Sequence, residues 1–423
     1  MSDPKNSLDH ARSLDAADPL HGFRERFHIP QHDGKDAVYF TGNSLGLQPK
    51  GVATILQQEM DDWAHYGVEG HFRAKNPWVS YHEIFSKSLS RIVGAKPSEV
   101  VAMGGLTSNL HLLMVSFYRP HGKRVKILCE ARPFPSDTYA MSSQIAFHGY
   151  DPAEHLVELA PREGEHTLRN EDILAKIEEL GDELALVLFG GVNFYTGQAF
   201  DMPAITFAGQ AVGAVVGFDL AHAAGNLRLD LHAWNVDFAC WCSYKYMNSG
   251  PGGVAGIFVH ERHHAKGLPM FAGWWGHDKE DRFKMERTFK PMPTAEAWQL
   301  SNAPVFAMAP HRAALDLFDE AGMEALVKKS AQLTGYLEYV IDDLSATTGT
   351  RLEIITPRDP AQRGCQLSVV LHGKGRQLFD ALSARGVVAD WREPNVIRMA
   401  PVPLYNSFED VYRFGTILKE VIQ

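Results

Sequence analysis

Short, continuous apolar runs alternate with helix-patterned segments through the middle of this 423-residue chain. Runs of this length, closed by glycine or charge, are typical of strands buried on both faces. They lie at residues 124–129, 184–189, 215–218 and 254–259, and helical spacing is found over about 51–92, 106–118, 171–180 and 203–212. Strands that alternate with helices predict a mostly parallel sheet with helices on both faces.

The pattern changes near residue 312. Two long helical segments over about 312–346 are followed by strand-like runs at 351–355 and 366–372, a helix at 376–384 and a final helix at the end of the chain. We therefore predict an α/β protein in three parts. These are an N-terminal segment (1–50) that packs with the small domain, a large domain (51–311) and a smaller α+β C-terminal domain (312–423).

Composition narrows the class of protein. The net charge of −10 and the pI near 6.0 argue against a nucleic-acid partner, because no basic block is available to hold phosphates. No run approaches the ~18 apolar residues of a membrane span. The four cysteines (Cys129, Cys240, Cys242, Cys365) are too few for a disulfide scaffold. The chain is expected to be a soluble, cytoplasmic protein.

A lysine follows the apolar run 237–242, in the segment Ser243-Tyr244-Lys245-Tyr246. Lysine is rarely buried without a partner, and an enclosed amine is what a Schiff-base catalyst needs. Taken alone, the local sequence favours a Lys245 that simply leaves the strand end for solvent, and the upstream segment changes that balance. Asp219 ends the upstream run and is suited to pair with a cationic ring nitrogen, as in pyridoxal phosphate (PLP) sites, although it could also cap the next helix. His222 follows it and could cover the ring or contact its oxygen.

Two further segments fit the same cofactor. Gly104-Gly105-Leu106-Thr107 opens onto a helix, so backbone N–H groups and the Thr107 hydroxyl could hold a phosphate; plain capping by Thr107 is the alternative. In Arg132-Pro133-Phe134-Pro135-Ser136-Asp137, two prolines hold an aromatic suited to stacking on a planar ring. Ser136 and Asp137 could bind its substituents, or the segment could be an ordinary proline-rich loop.

Two motifs favour other chemistry. His260-Glu261-Arg262-His263-His264 has the H-E-x-x-H pattern of zinc proteases, but it follows a strand-like run and Gly267 ends any helix early. Cys240 and Cys242 alternate along a predicted strand and share a face, where core packing is favoured over metal binding. A zinc hydrolase built on His260, Glu261 and His264 is therefore a remote alternative.

These residues, with others along nearly the whole chain, resemble the kynureninase family of fold-type-I PLP-dependent enzymes, related to aminotransferase class V. The matching segments are 41–47, 70–72, 105–107, 134–137, 194–198, 218–222, 241–246, 273–277 and 397–407. The segments around Trp274 and Arg398 are the most specific to the family. One departure is Gly190, where the family often has a hydroxyl residue, so that a backbone group or water must replace that contact.

The resemblance implies roles for the matching positions. Lys245 would bind the cofactor covalently and move protons, Asp219 would pair with the pyridine nitrogen, and Tyr244 and Trp274 would contact the phosphate. From its place beside the phosphate and the lysine, Tyr244 is also the candidate for a proton relay at the hydration step. The implied cofactor-binding residues are Leu106, Thr107, Phe134, Pro135, Ser136, Asp137, Asp219, His222, Tyr244, Lys245, Trp274 and Asn302. The implied substrate-binding residues are Ser44, His71, Trp275, Asn302 and Arg398, of which Arg398 would hold the α-carboxylate.

The activity that the resemblance implies is hydrolysis of the Cβ–Cγ bond of L-kynurenine or 3-hydroxy-L-kynurenine, in tryptophan degradation and NAD biosynthesis. A sibling PLP enzyme such as a cysteine desulfurase is the alternative, with Cys365 as its only C-terminal nucleophile. A homodimer with shared active sites and a small amino-acid substrate, without nucleic acid or membrane partners, is also expected. A seven-stranded sheet in the large domain follows from the same resemblance.

Overall fold

The computed structural model describes residues 5–373 and 375–422. Its α-helices, numbered in chain order, are α1 Leu8–Ala17, α2 Val52–Tyr66, α3 Gly70–Arg73, α4 Glu83–Val93, α5 Leu106–Phe117, α6 Pro135–Phe147, α7 Pro152–His155, α8 Asn170–Leu180, α9 Met202–Ala211, α10 Val305–Ala321, α11 Met323–Thr348, α12 Gly375–Ser383 and α13 Phe408–Ile422. The strands are β1 Gln31–His32, β2 Lys35–Asp36, β3 Val38–Tyr39, β4 Val100–Ala102, β5 Lys126–Glu130, β6 Leu156–Leu159, β7 Leu184–Gly190, β8 Val215–Asp219, β9 Phe238–Trp241, β10 Gly256–Val259, β11 Leu352–Ile354, β12 Leu367–Leu371, β13 Val387–Val388, β14 Asp390–Arg392 and β15 Val396–Met399.

The main sheet has seven strands in the order β4-β10-β9-β8-β7-β5-β6. Strands β6, β5, β7, β8 and β9 run parallel, and β10 is antiparallel to both of its neighbours. The predicted mostly parallel α/β sheet is confirmed. The central strands are continuous apolar runs because helices cover both faces, so that neither face needs polar residues.

Side chains alternate between the two faces of this sheet. Ile127 and Leu186 pack with helices α5 and α6 on one face, whereas Leu128 and Val187 pack with α4, α8, α9 and α10 on the other. The parallel strands therefore present their carboxyl ends along one edge, where open α/β folds bind ligands.

A second sheet, with the order β11-β12-β15-β14, is antiparallel throughout. Helices α11, α12 and α13 pack against it, and the N-terminal segment joins this core through Ala11, Val38 and Phe40. Strand β3 pairs in parallel with β13. Residue 311 lies inside α10, which contacts α2 and α4. The division at residues 50 and 311 stays a prediction.

Among the described residues, no helix combines the length and the apolar character that crossing a membrane requires.

Candidate active site

A cavity of about 190 Å³ opens at the carboxyl ends of β5, β7 and β8 and beside the turn that follows β9. The lining residues are Leu106, Thr107, Glu130, Phe134, Ser136, Asp137, Gly190, Val192, Phe194, Asp219, Ala221, His222, Cys242, Tyr244 and Lys245. The structure thus brings together nine of the residues that the sequence analysis singled out for the cofactor, although they come from four separate stretches of chain.

Lys245 lies in the turn after β9 and is half-buried rather than turned freely to solvent. Its Nζ is 3.1 Å from Nε2 of His222 and 5.7 Å from the centre of the Phe134 ring. Burial, with the nearby charges of Lys245 and Arg398, holds the pKa of His222 well below its usual range. His222 is therefore a neutral partner for the amine, and its Nδ1 has no hydrogen-bond partner among the described residues.

Asp219 is buried at the end of β8, and its Oδ1 accepts a hydrogen bond from the Ala221 N–H (2.7 Å). The local turn contact that the sequence allowed is therefore present, but residues 221–226 form turns and not an α-helix. Burial raises the pKa of Asp219, while the Ala221 N–H and Lys245 oppose the rise. The neighbouring Asp137 is also buried, and burial together with Asp219 raises its pKa further. Two close carboxyl groups of this kind favour a cationic ligand.

Helix α5 points its N-terminus at the cavity. Gly105 is the N-cap, and Gly104 before it has a φ of +53°, which favours glycine. The first N–H groups of a helix have no intrahelical acceptor, and Leu106 and Thr107 carry two of them at the cavity wall. This end of the cavity is therefore suited to a phosphate.

Phe134 precedes helix α6 and remains 42% exposed over the cavity. Its ring meets Phe194 edge-on, with ring centres 5.3 Å apart. Pro135 occupies the first position of α6, which suits its fixed φ, and it does not line the cavity itself. The proline-rich segment is thus a helix start that presents a flat aromatic face, rather than an irregular loop.

Arg398 lies on β15, behind Phe194, and is only 1% exposed. Its Nη1 donates to the Phe194 carbonyl (2.6 Å), and its Nη2 forms an ion pair with Asp390. Its Nε is buried without a hydrogen-bond partner among the described residues. Arg398 does not line the cavity itself; the small sheet brings its guanidinium, with Nε unused, behind Phe194, which does line it.

Five other predicted residues lie outside the cavity lining: Ser44, His71, Trp274, Trp275 and Asn302. Trp274 is half exposed and donates from Nε1 to the Arg282 carbonyl (3.1 Å), and Trp275 is buried with the Arg282 guanidinium 4.5 Å from its ring centre. His71 packs edge-on against Trp78. The cavity lining of one copy of the chain therefore does not include all the predicted residues.

Glu130 was not predicted from the sequence, although it lines the cavity. It ends β5 just as Asp219 ends β8, so an acidic residue at the end of a buried strand was the signal that could have found it.

The competing motifs do not form the sites that they suggested. Residues Glu261–His263 form a 3-10 turn, in which the His260 Nδ1 accepts the Arg262 N–H, and His264 Nε2 contacts the Val259 carbonyl. The two histidines are therefore committed elsewhere and share no α-helical face. Cys365 is fully buried, and burial raises the pKa of its thiol, so that it lacks the exposed thiolate that a desulfurase needs.

The donor set of the cavity matches PLP. An amine next to a neutral histidine suits the aldehyde, a buried carboxyl suits the ring nitrogen, a helix N-terminus suits the phosphate and an aromatic face suits the ring. Similar solved structures include an apo cysteine desulfurase from Thermococcus onnurineus, with a TM-score of 0.76 and 18% identity, covering 91% of this chain and 94% of that one. A lyase variant described as carrying glycine linked to its PLP cofactor has a TM-score of 0.74 and 16% identity, covering 90% of this chain and 96% of that one. Fold and site together define a fold-type-I PLP-dependent enzyme.

The kynureninase C-terminal domain model matches residues 326–418. Kynureninase from Flavobacterium psychrophilum is 60% identical over 419 residues, 99% of each chain. Kynureninase from Myxococcus xanthus is 58% identical over 417 residues, 98% of this chain and 97% of that one. The chain belongs to the kynureninase family.

Proposed function

We propose that this protein is a PLP-dependent hydrolase that cleaves the Cβ–Cγ bond of L-kynurenine or 3-hydroxy-L-kynurenine. The products would be L-alanine and anthranilate or 3-hydroxyanthranilate. The observation that carries the proposal is the cavity with Lys245 next to neutral His222 and buried Asp219, in a chain that is 60% identical to a relative named kynureninase. The same assignment would place the enzyme in tryptophan degradation and NAD biosynthesis.

When bound, PLP supplies an electron sink that stabilises negative charge at the substrate Cα. Lys245 would then remove and return the proton at Cα, since its amine is the basic group beside the aldehyde end of the cavity. Asp219 would hold the ring nitrogen in its protonated form, because a cation next to it relieves the cost of burying the carboxyl. Tyr244 would relay a proton when water adds to the Cγ carbonyl. Burial raises the pKa of Tyr244, and its nearness to Cys242 adds to the rise, so the hydroxyl keeps a proton to give.

Arg398 would bind the substrate α-carboxylate. Guanidinium donates in a planar fork that matches a carboxylate, and the unused Nε supplies one of the two donors. The ion pair with Asp390 holds the side chain in place before substrate arrives.

A second proposal is that the enzyme is a homodimer with shared active sites. It is supported by five predicted residues that do not line the cavity of one copy: Ser44, His71, Trp274, Trp275 and Asn302. An aromatic surface formed by Trp63, Phe72, Trp274, Phe283 and Phe306 is exposed by 44 to 62% per side chain. The rings form two groups: Trp63 contacts Phe306 (5.8 Å between ring centres), and Phe283 contacts both Trp274 (5.6 Å) and Phe72 (6.3 Å). Exposed aromatic groups of this kind are typical of an interaction surface. A second copy that covers it would bring Trp274 to another cavity.

Light scattering, which measures the mass of the protein in solution, tests the dimer proposal. The test variant is Phe72→Asp, and Phe147→Asp is the matched control at another exposed phenylalanine. The dimer proposal expects the first variant to dissociate and the second to stay dimeric. A monomeric wild-type protein contradicts it.

The cysteines support a cytoplasmic location, which remains a proposal. All four are buried and free of disulfide bonds, as is common in a reducing compartment.

The experiment that tests the reaction is steady-state turnover of L-kynurenine and 3-hydroxy-L-kynurenine by the PLP-loaded protein, with L-alanine quantified as the product. Lys50→Ala, at an exposed lysine outside the cavity, is the matched control for changes at Lys245. Formation of alanine and the aromatic acid in equal amounts supports the proposal. Absence of alanine with both substrates refutes it.

A further inference from the structure

Glu130 is a buried acid in the cavity that the proposed reaction does not use. It is 5% exposed, and its two oxygens share the Gly190 N–H at 3.2 and 3.3 Å. These two hydrogen bonds are long, and the backbone N–H of Glu130 itself is a second donor to the carboxyl. Glu130 lines this cavity and also the neighbouring cavity beside Asn193 and Tyr195.

The Glu130 carboxyl lies close to residue 190, which has no side chain. A Cβ at Gly190 would lie 3.0 Å from Oε1 of Glu130 and 3.2 Å from the Val192 carbonyl oxygen. A side chain at position 190 would therefore fit only if these oxygen atoms shifted by a few tenths of an ångström. The glycine leaves the Glu130 carboxyl in its place beside the cavity.

The order of the strands indicates which part of the cofactor faces this carboxyl. In PLP, the ring oxygen and the phosphate arm lie on opposite sides of the line from the ring nitrogen to the aldehyde. Asp219 on β8 suits the nitrogen, Lys245 after β9 suits the aldehyde, and the N-terminus of α5 after β4 suits the phosphate. Since β4 lies on one side of β8 and β9, the ring oxygen faces the other side, toward β7 and β5. Those two strands end at Gly190 and Glu130.

We propose that Glu130 is a cofactor-binding residue that donates a hydrogen bond to the ring oxygen of PLP, in place of the side chain that is missing at position 190. This inference rests on the proposed PLP-dependent function. It concerns a contact between Glu130 and the cofactor and does not depend on which substrate the enzyme cleaves.

A carboxyl group can donate only when it holds its proton, and the surroundings of Glu130 favour that state. Burial, with the charges of Asp219 on β8 and Glu158 on β6, raises its pKa to about 7, against the opposing hydrogen bonds from its own N–H and the Gly190 N–H. A neutral buried acid is an established means of donating a hydrogen bond to an oxygen anion at neutral pH. His222 is the competing donor, because its Nδ1 is buried without a partner among the described residues.

The test is the dissociation constant of two ligands, measured by absorbance titration of the cofactor-free protein. The ligands are PLP and 3-deoxypyridoxal 5′-phosphate, which keeps the aldehyde and the phosphate but lacks the ring oxygen. The variants are Glu130→Ala, which removes the donor, Glu130→Gln, which keeps an N–H donor of similar shape, and His222→Asn. Thermal unfolding of each variant checks that it is folded.

We expect Glu130→Ala to weaken PLP binding about tenfold, the magnitude of one net hydrogen bond to a charged acceptor, and to leave binding of the analogue unchanged. Glu130→Gln should lose less than threefold for PLP. Equal weakening of both ligands in Glu130→Ala, or no weakening of either, overturns the inference. If only His222→Asn abolishes the preference for PLP over the analogue, His222 and not Glu130 donates the hydrogen bond to the ring oxygen, and the inference is also overturned. These outcomes differ from a failure of the proposed function. In that case the wild-type protein would bind PLP but would not turn over either substrate.

Discussion

Gly46→Ala tests whether the N-terminal segment holds the turn that carries the lysine. Gly46 N–H donates to the Tyr244 carbonyl (2.8 Å), one residue before Lys245. A Cβ at position 46 would lie 2.8 Å from the Cα of Asn248, and it would be closer still to the Lys245 carbonyl oxygen and the Asn248 Oδ1. Ordinary contacts between carbon atoms are ~3.5–4.0 Å, so the turn would have to move by about 1 Å.

The size of the expected free-energy loss follows from the atoms that surround the new methyl group. Overpacking costs about 1–3 kcal/mol, and this site belongs at the upper end because two of the three contacted atoms are backbone and cannot rotate away. The backbone conformation of Gly46 adds nothing, since its φ is not in the left-handed region. We therefore expect a loss of about 3 kcal/mol, divided between the free energy of unfolding and the affinity for PLP.

The assay combines urea unfolding with titration of PLP into the cofactor-free protein. Gly51→Ala is the matched control in the same segment, because its nearest neighbouring atom, Cβ of Ala313, would be 3.9 Å away. Replacement of glycine at an unstrained site with an ordinary φ stabilises slightly or is neutral. An unchanged unfolding midpoint together with unchanged PLP affinity in Gly46→Ala would refute the clamping role, as would an equal loss in Gly51→Ala.

Four other predictions follow from the site. Lys245→Ala should abolish turnover and the visible absorbance of bound PLP, while Lys50→Ala keeps both; retained absorbance and turnover would exclude Lys245 as the cofactor lysine. Tyr244→Phe should keep PLP bound and lose at least tenfold in kcat, and unchanged kcat would remove its proton-relay role. Arg398→Lys should lower kcat/KM about 10- to 100-fold through the lost fork, with Arg351→Lys, at an exposed arginine, as the control. The folded-state pKa of Glu130 is raised to about 7, above its unfolded value of ~4.3, so the folded protein loses stability as pH rises between these values. Glu130→Gln should therefore stabilise the cofactor-free protein at pH 8 by on the order of 3 kcal/mol and much less at pH 4.5, and a gain independent of pH would contradict this.

The strands and helices of the large sheet were predictable because their apolar runs are continuous and are closed by glycine or charge. The runs at 184–189 and 215–218 became β7 and β8 almost without change of boundary. Helix α6 was harder to predict, since the prolines before it are equally common in loops. Helix α1 has only one fully buried residue, Ala11, and its weak apolar pattern gave no signal in a polar segment.

The sequence by itself determined the chemistry at the strand ends. Lys245 and Asp219 could be identified because a polar residue that closes a buried run must lie at the edge of the sheet, where ligands bind. Thr107 could be identified because a glycine turn before it opens onto a helix N-terminus. Both rules are local, so they can be applied without knowledge of which strands are neighbours.

Only the tertiary structure decided how residues far apart in the chain meet. Glu130 and Gly190 are 60 residues apart and become partners because β5 and β7 are adjacent, and Arg398 meets Phe194 across 204 residues because the small sheet packs on the large one. Strand order and packing between sheets depend on contacts summed over the whole chain, which no single segment encodes. For the same reason, the exposed aromatic surface around Trp274 became visible only when separate helices and turns had come together.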